Sequence, residues 1–283
     1  MVAACVAHTG SRAWQALPEV LAALRPRFGR LPVYPAGEPG EASVLAAALA
    51  DEYDLLIVVG GDGTVHEVVN GLPLGPGVET PAVAVVPGGT GNDFARGLGL
   101  PPDPVDAARA LADCRPRRLD LLDCDERRAA NGMNAGFAAA ATERLSAKVK
   151  RLLGPLGYAL GGVLAGVDPP TWQARVEVDG EVVEGETLAV VVGNGGSFGG
   201  GRWLLPEADL SDGLLDVLVV PATASKARLA RGLARNRLPS GLPRLRGRAV
   251  ALATAMPCRL DGEPTPTPDN ISVLAAAWRV LSP

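Results

Sequence analysis

The sequence predicts an α/β N-terminal domain followed by a mainly antiparallel, β-rich C-terminal domain. Three observations carry this. Up to about Leu121, apolar runs alternate with helix-period segments, the pattern of a parallel sheet with crossover helices. Beyond that point the texture becomes strand-rich, as in "WQARVEVDGEVVEGETLAVVVGN", where Asp179 and Gly180 mark a hairpin turn. Two glycine-rich loops, each following an apolar run, occupy the places where loops leave the carboxyl ends of parallel strands. The expected domains are 1–121 and 122–283, with the last strand free to return to the first domain.

In chain order, "AACVA" reads as a strand, "RAWQALPEVLAAL" and "SVLAAALADEY" as helices, and "DLLIVV" as a buried strand. "VHEVVNGL" then reads as a helix, "AVAVVP" as a strand and "PVDAARALAD" as a helix. Pro18 lies inside the first helical pattern and is expected to kink or break it. A helical region is expected from Thr142 to about Val167, and "GLLDVLVV" is a strand. "SKARLARGLARN" forms a helix with arginines along one face, and "RAVALATA", "MPCRL", "ISVLAA" and "WRVLSP" are further strands.

A length of 283 residues with 47% hydrophobic content suffices for two modest cores. The net charge of −4 gives no global field that would favour nucleic acid. Locally, no Asp or Glu occurs between Val217 and Leu260, where Lys226, Arg228, Arg231, Arg235, Arg237, Arg244, Arg246, Arg248 and Arg259 all fall. That stretch is a candidate anion-facing surface, or else a solvated arginine helix. Cys5, Cys114, Cys124 and Cys258 are scattered without a CxxC, which fits reduced, buried thiols and a cytoplasmic setting. The amino terminus lacks a basic segment before its apolar residues, so no secretory signal is expected. The uncharged run Leu152–Val167 is too short and too glycine-rich to span a bilayer; it suits a buried helix or one wall of a greasy cleft.

"DLLIVVGGDGTVHEVVNGL" puts Gly60, Gly61 and Gly63 between a strand and a helix. Bare backbone there lets N–H groups approach an anion, and the helix N-terminus adds partial positive charge. The pattern is neither a Walker loop nor GxGxxG, and it holds an acid, Asp62, where simple phosphate binding would disfavour one. A carboxylate beside phosphates implies Mg2+ or proton transfer. A plain strand-to-helix turn capped by Asp62 and Thr64 is the bland alternative. The second loop, "VVPGGTGNDFARGLGL", adds Gly89, Thr90, Asn92 and Asp93 at the same sheet edge and favours the phosphate cradle.

The combination of "GGDGT" with "PGGTGNDFARGLGL" resembles the diacylglycerol kinase catalytic-domain family, which includes bacterial diacylglycerol and related lipid kinases and sphingosine kinases. The likeness continues through "RRLDL", "NAGF", "VVVGNGGSFGGG", "LPEADLSDGLLDVLVV" and "LDGE". It implies a nucleotide-binding α/β domain like that of NAD kinases and diacylglycerol kinases, a β-sandwich C-terminal domain, and an active site in the cleft between them. It further implies ATP- and Mg2+-dependent phosphorylation of a lipid hydroxyl, most naturally diacylglycerol to phosphatidic acid. By the same resemblance, Gly60, Gly61, Asp62, Gly63, Thr64, Gly89, Thr90 and Asn92 hold the nucleotide, and Asp62, Asp93 and Asp120 join the Mg2+ and water network. Glu263 accepts the hydroxyl proton, a role that some relatives give to the acid of the glycine loop, here Asp62. Asp209, Asp212 and the Leu214 carbonyl correspond to a structural Mg2+ site, against the alternative of an ordinary polar turn. "LDGE" itself could be no more than a hairpin with a surface Glu.

The chain departs from this pattern in three places. "AHTGSR" replaces the usual Asn-Pro-x-x-Gly turn, so His8, Thr9 and Gly10 stand in a phosphate-contacting loop. "YPAGEPG" replaces a threonine after the second strand, and "LRGRAV" lacks the histidine of a Gly-Lys-His element. His66 is expected to be solvated or capping. The expected partners are a lipid substrate, an anionic membrane touched peripherally on its inner face, and a second copy of the chain. The competing functions are a nucleotide- or lipid-binding regulatory protein that has lost turnover, and an NAD kinase-like enzyme.

Overall fold

The computed structural model describes residues 1–74, 78–137, 139–140, 169–236 and 238–283. The expected helix over 142–167 and the uncharged run 152–167 lie outside them. The chain divides into two units, Met1–Leu121 with Ala275–Pro283, and Leu122–Leu274.

In the first unit the order is β1 (Ala3–His8), α1 (Arg12–Gln15), α2 (Leu17–Phe28), β2 (Val33–Ala36), α3 (Glu41–Leu49), β3 (Leu55–Gly60) and α4 (Asp62–Gly71). β4 (Ala82–Pro87), α5 (Asp93–Gly97), α6 (Pro104–Ala110) and β5 (Arg115–Cys124) follow. The parallel strands pair in the order β2-β1-β3-β4. β3 and β4 are buried along their whole length and β1 nearly so, as strands covered on both faces must be. Because β1 lies between β2 and β3, chain direction across the sheet reverses beside it. The loops after β1, β3 and β4 therefore open at a topological switch point, where such sheets bind ligands.

The first helical pattern breaks in two at Ala16, and Pro18 falls in the opening turn of α2, where its missing N–H leaves no bond unmade. β2 follows no strong sequence pattern, with a proline and only one buried residue. It forms because β1 offers it a parallel edge.

The second unit contains β6 (Arg127–Ala129), β7 (Gly132–Gly136), β8 (Trp172–Val178), β9 (Glu181–Gly193), β10 (Ser197–Phe198), β11 (Arg202–Trp203), β12 (Leu215–Pro221) and α7 (Lys226–Ala234). It closes with β13 (Arg244–Gly247), β14 (Ala249–Thr254), β15 (Cys258–Leu260), β16 (Glu263–Thr265) and the first part of β17 (Asn270–Ser282). Its strand pairs among the described residues are antiparallel. Asp179 and Gly180, both at positive φ, form the hairpin turn between β8 and β9.

β9 and β12 show period-two burial on both faces. Val190, Val192, Leu215, Val217 and Val219 enter one core, while Leu188, Val191, Leu218 and Val220 enter a second beneath α7. The four cysteines are buried and unpaired, and burial pushes the Cys5 and Cys258 thiols up to about 12, which leaves them unreactive at neutral pH.

"ISVLAA" and "WRVLSP" are one continuous strand, β17, rather than two. Ala276, at φ 51, bends it, so the final residues return to the first unit, where Val280 pairs in parallel with Val83 of β4. No helix of the described residues is long and apolar enough to cross a membrane.

Candidate active site

Three loops of the first unit converge. The two glycine loops touch backbone to backbone: a Cβ on Gly61 would come within 2.9 Å of the Gly89 Cα, and one on Gly89 within 2.7 Å of the Gly61 Cα. The Gly88 N–H donates to the Gly60 carbonyl at 2.7 Å, continuing the β3–β4 ladder into the loops. Only glycine permits this approach. Thr64 is buried and packs across Gly60, while Thr90 is exposed in the second loop.

Asp62 opens α4 and reaches across to the second loop, where its Oδ1 accepts the Phe94 N–H at 3.1 Å. Asn92, buried at φ 52, folds its own loop: its Oδ1 accepts the Gly89 N–H at 2.8 Å and its Nδ2 donates to the Gly89 carbonyl at 3.0 Å. An Asn tolerates this left-handed conformation and supplies both partners. Asp93 follows, buried at the start of α5, and Phe94 packs on Trp278 with ring centroids 5.4 Å apart. The acid, the amide and the cradle are thus pinned to one another and to the last strand.

The loop after β1 supplies a cation that sequence reasoning missed. The Arg12 N–H donates to the Gly88 carbonyl at 2.9 Å, and its guanidinium Nη2 donates to the Gly89 carbonyl at 3.1 Å. Arg12 is exposed, so its charge sits at the second glycine loop with donors to spare. Its signal was weak, since an arginine opening a helix says nothing of a loop 77 residues away. His8 Nδ1 accepts the Gly10 N–H at 3.1 Å, giving "AHTGSR" an internal turn in place of the missing Asn-Pro motif. His66 is buried in α4, not solvated: its carbonyl accepts the Asn70 amide at 2.8 Å, because its helix face turns into the unit's interior.

Asp120 is also buried, and its Oδ1 accepts the Ala276 N–H at 2.6 Å. That bond holds a non-glycine residue in the left-handed region at the bend of β17. Asp120→Ala is expected to cost about 1 kcal/mol of stability or somewhat more, since the N–H of a strained residue loses its charged acceptor. Urea unfolding with a wild-type midpoint would show that the carboxylate does not hold the bend.

In the second unit, "LDGE" splits into two roles. Asp261 and Gly262, at φ 46 and 93, form the β15–β16 turn. The Asp261 carboxylate accepts the N–H groups of Ala130 at 2.8 Å, Asn131 at 2.9 Å and Gly132 at 3.0 Å. Glu263, by contrast, is exposed, and its carboxylate meets no partner among the described residues.

At the second acidic turn, Asp209 Oδ1 accepts the Ser211 N–H at 2.9 Å and Asp212 Oδ1 accepts the Leu214 N–H at 2.9 Å. Asp212 is also ion-paired with the Arg246 guanidinium, which reaches Asp216 at 3.4 Å from its cross-strand position. Burial raises the Asp216 carboxyl from its ordinary value, and Arg246 opposes this. The guanidinium already supplies the positive charge that a cation at Asp209, Asp212 and Leu214 would bring, so the turn as built does not fit that metal. EDTA is therefore expected to leave the melting temperature unchanged. Arg246→Gln is expected to lower it and to make it rise on adding Mg2+. A wild-type melting temperature that falls with EDTA and loses this response in Asp209→Asn would restore a metal to the turn.

Mg2+ at the glycine loops is a different case, because that ion takes one or two carboxylates and completes its shell with phosphate oxygens and water. The described residues contain no group of three or more acidic, histidine or cysteine side chains able to hold a metal by themselves. Asp62 beside an anion cradle fits an ion brought with a nucleotide.

Comparisons with known proteins identify the family. Residues 7–124 match the diacylglycerol kinase catalytic domain, and residues 131–282 match the YegS C-terminal NAD kinase beta sandwich-like domain. A protein of Xanthomonas campestris pv. campestris named "Probable lipid kinase YegS-like" is 34% identical, the match covering 94% of this chain and 91% of that one. One of the same name from Pseudomonas aeruginosa is 38% identical over 71% of this chain and 66% of its own length. A diacylglycerol kinase of Staphylococcus carnosus is 34% identical over 76% of this chain and 68% of its own. A solved structure of a Bacillus anthracis diacylglycerol kinase superposes with a TM-score of 0.84 at 26% identity, covering 100% of this chain and 97% of that one. The chain belongs to the diacylglycerol kinase catalytic-domain family of lipid kinases, with an α/β catalytic domain and a β-sandwich-like C-terminal domain.

Proposed function

We propose that this protein transfers the γ-phosphoryl group of ATP to the hydroxyl of a membrane lipid, with diacylglycerol as acceptor and phosphatidic acid as product. The observation that carries the reading is the backbone contact between Gly61 and Gly89, which keeps side chains out of a cradle edged by Asp62 and Arg12. In the reaction the lipid hydroxyl oxygen bonds to the γ-phosphorus as the bond to the β-γ bridging oxygen breaks, and ADP leaves. The hydroxyl proton passes to a carboxylate, either Glu263 or Asp62. Mg2+, when bound, neutralises charge on the phosphate oxygens.

This chain's own residues position and compensate. The loop N–H groups and Arg12 face the phosphates, Asn92 holds the second loop's shape, and Asp62 and Asp93 present oxygen to the nucleotide's ion. Asp120 holds the strand behind them. The protein works on the cytoplasmic face of a membrane, because the substrate's acyl chains remain in the bilayer while the nucleotide is in water.

The test is phosphate transfer from labelled ATP with Mg2+ to a panel of vesicle-borne lipids, with product separation. Labelled phosphatidic acid establishes the reaction. A labelled sphingoid base or phospholipid headgroup instead would change the acceptor. Nucleotide binding with no labelled lipid favours a regulatory protein, an outcome to which the replaced "AHTGSR" loop would be central. Labelling of NAD in place of lipid would favour an NAD kinase-like enzyme.

A further inference from the structure

Helix α7 carries a charge pattern that its own stability does not explain. Leu229 and Leu233 pack on the cluster of Leu188, Val191, Phe198, Leu204, Leu205, Leu218 and Val220, and Ala230 and Gly232 are buried beside them. Arg228, Arg231 and Arg235 are exposed and follow at i, i+3 and i+7, one stripe on the side opposite the leucines. Their guanidinium groups make no ion pair among the described residues.

The first turn contains Lys226 and Arg228 and no acid. A helix macrodipole penalises cations there, so these charges work against the helix that carries them. Arg244, cross-strand from Leu218, is not part of the stripe: its guanidinium donates to the Leu204 carbonyl at 3.2 and 3.3 Å.

The helix is also fixed in place. Arg202 Nη1 donates to the Leu233 carbonyl at 3.0 Å, and Asn236 accepts the Trp203 N–H at 2.8 Å and donates to the Gly201 carbonyl at 3.2 Å. The leucines face inward and cannot insert elsewhere without opening that core. This arrangement presents positive charge on a rigid mount.

We infer that the α7 arginine face is an electrostatic docking surface for the anionic headgroups of a lipid bilayer. The inference deepens the lipid-kinase reading and rests on it for the choice of partner: the substrate is held in a bilayer, and three exposed guanidinium groups on a pinned helix are complementary in charge to a plane of phosphates. No aromatic side chain lies on α7 to stack with bases, which disfavours single-stranded nucleic acid.

The test compares the full chain with the triple variant Arg228→Gln, Arg231→Gln, Arg235→Gln, in which glutamine keeps helix propensity. Sedimentation with phosphatidylcholine vesicles, with and without about 30 mol % phosphatidylglycerol, is read at about 50 mM and about 500 mM salt. The wild type is expected to bind only the anionic vesicles, and only at low salt. The triple variant should bind them about 100-fold more weakly, three surface cations being lost, with an unchanged melting temperature. Wild-type binding that ignores anionic lipid, or a triple variant that binds as wild type does, would overturn the inference. Preference for an oligonucleotide over vesicles, lost with the same arginines, would overturn it in favour of nucleic acid.

A parallel assay on diacylglycerol in neutral detergent micelles separates the two readings. Equal activity of wild type and triple variant there, with vesicle binding lost, supports docking as a function apart from chemistry. No micelle activity in either protein, with salt-sensitive vesicle binding intact, would sink the kinase reading and leave docking standing.

Discussion

Asp62→Asn is expected to lower turnover by about 1000-fold, within the range for loss of a catalytic acid–base group, while leaving the fold in place. The expectation follows from what the amide keeps and loses. An asparagine still offers an oxygen to the Phe94 N–H, so the bond tying the two glycine loops survives. It has no negative charge for a phosphate-bound cation and cannot accept a proton from a hydroxyl. It also forfeits the favourable acid in the first turn of α4, about 0.5 kcal/mol, so the melting temperature should fall by only a few degrees. Steady-state kinetics and a thermal melt on one sample check both halves. Turnover within tenfold of wild type would remove Asp62 from the chemistry and return the loop to a capped turn.

The second large effect separates two acids two residues apart. Asp261→Ala is expected to cost about 3 kcal/mol or more, because three backbone N–H groups lose their acceptor and alanine must occupy a left-handed turn position. Glu263→Gln should leave the urea midpoint unchanged, its carboxylate being exposed, and should lower turnover by about 100-fold or more where Glu263 is the base. Asp261→Asn, which keeps one oxygen and tolerates positive φ, should recover part of the stability lost in the alanine variant. A stable Asp261→Ala would mean that the turn is held by its β-ladder alone. A fully active Glu263→Gln would pass the base role to Asp62.

These contrasts show how far local sequence carries chemistry. The glycine loops were legible because a strand running into Gly-Gly has few uses other than close backbone approach, and Gly61 against Gly89 is that approach. Asp62 and Asn92 stood out as polar residues inside those loops. Arg12 did not, because its meaning depends on β1 lying beside β3, which brings the loop after β1 against the one after β4. In "LDGE" the resemblance singled out Glu263 and gave Asp261 no role, since whether a carboxylate meets backbone N–H groups depends on what packs behind the turn.

The parallel α/β pattern, the hairpin at Asp179–Gly180 and the family were determined by sequence alone, because each rests on periodicity or on residues adjacent in the chain. Other features were decided only by tertiary structure. These are the burial of His66, the joining of two apparent strands into the bent β17, and the use of Arg246 as the positive charge beside Asp212. Each depends on which distant segment lies opposite a side chain, and burial, ion pairing and a partner for a strained N–H are properties of that neighbour as much as of the residue itself.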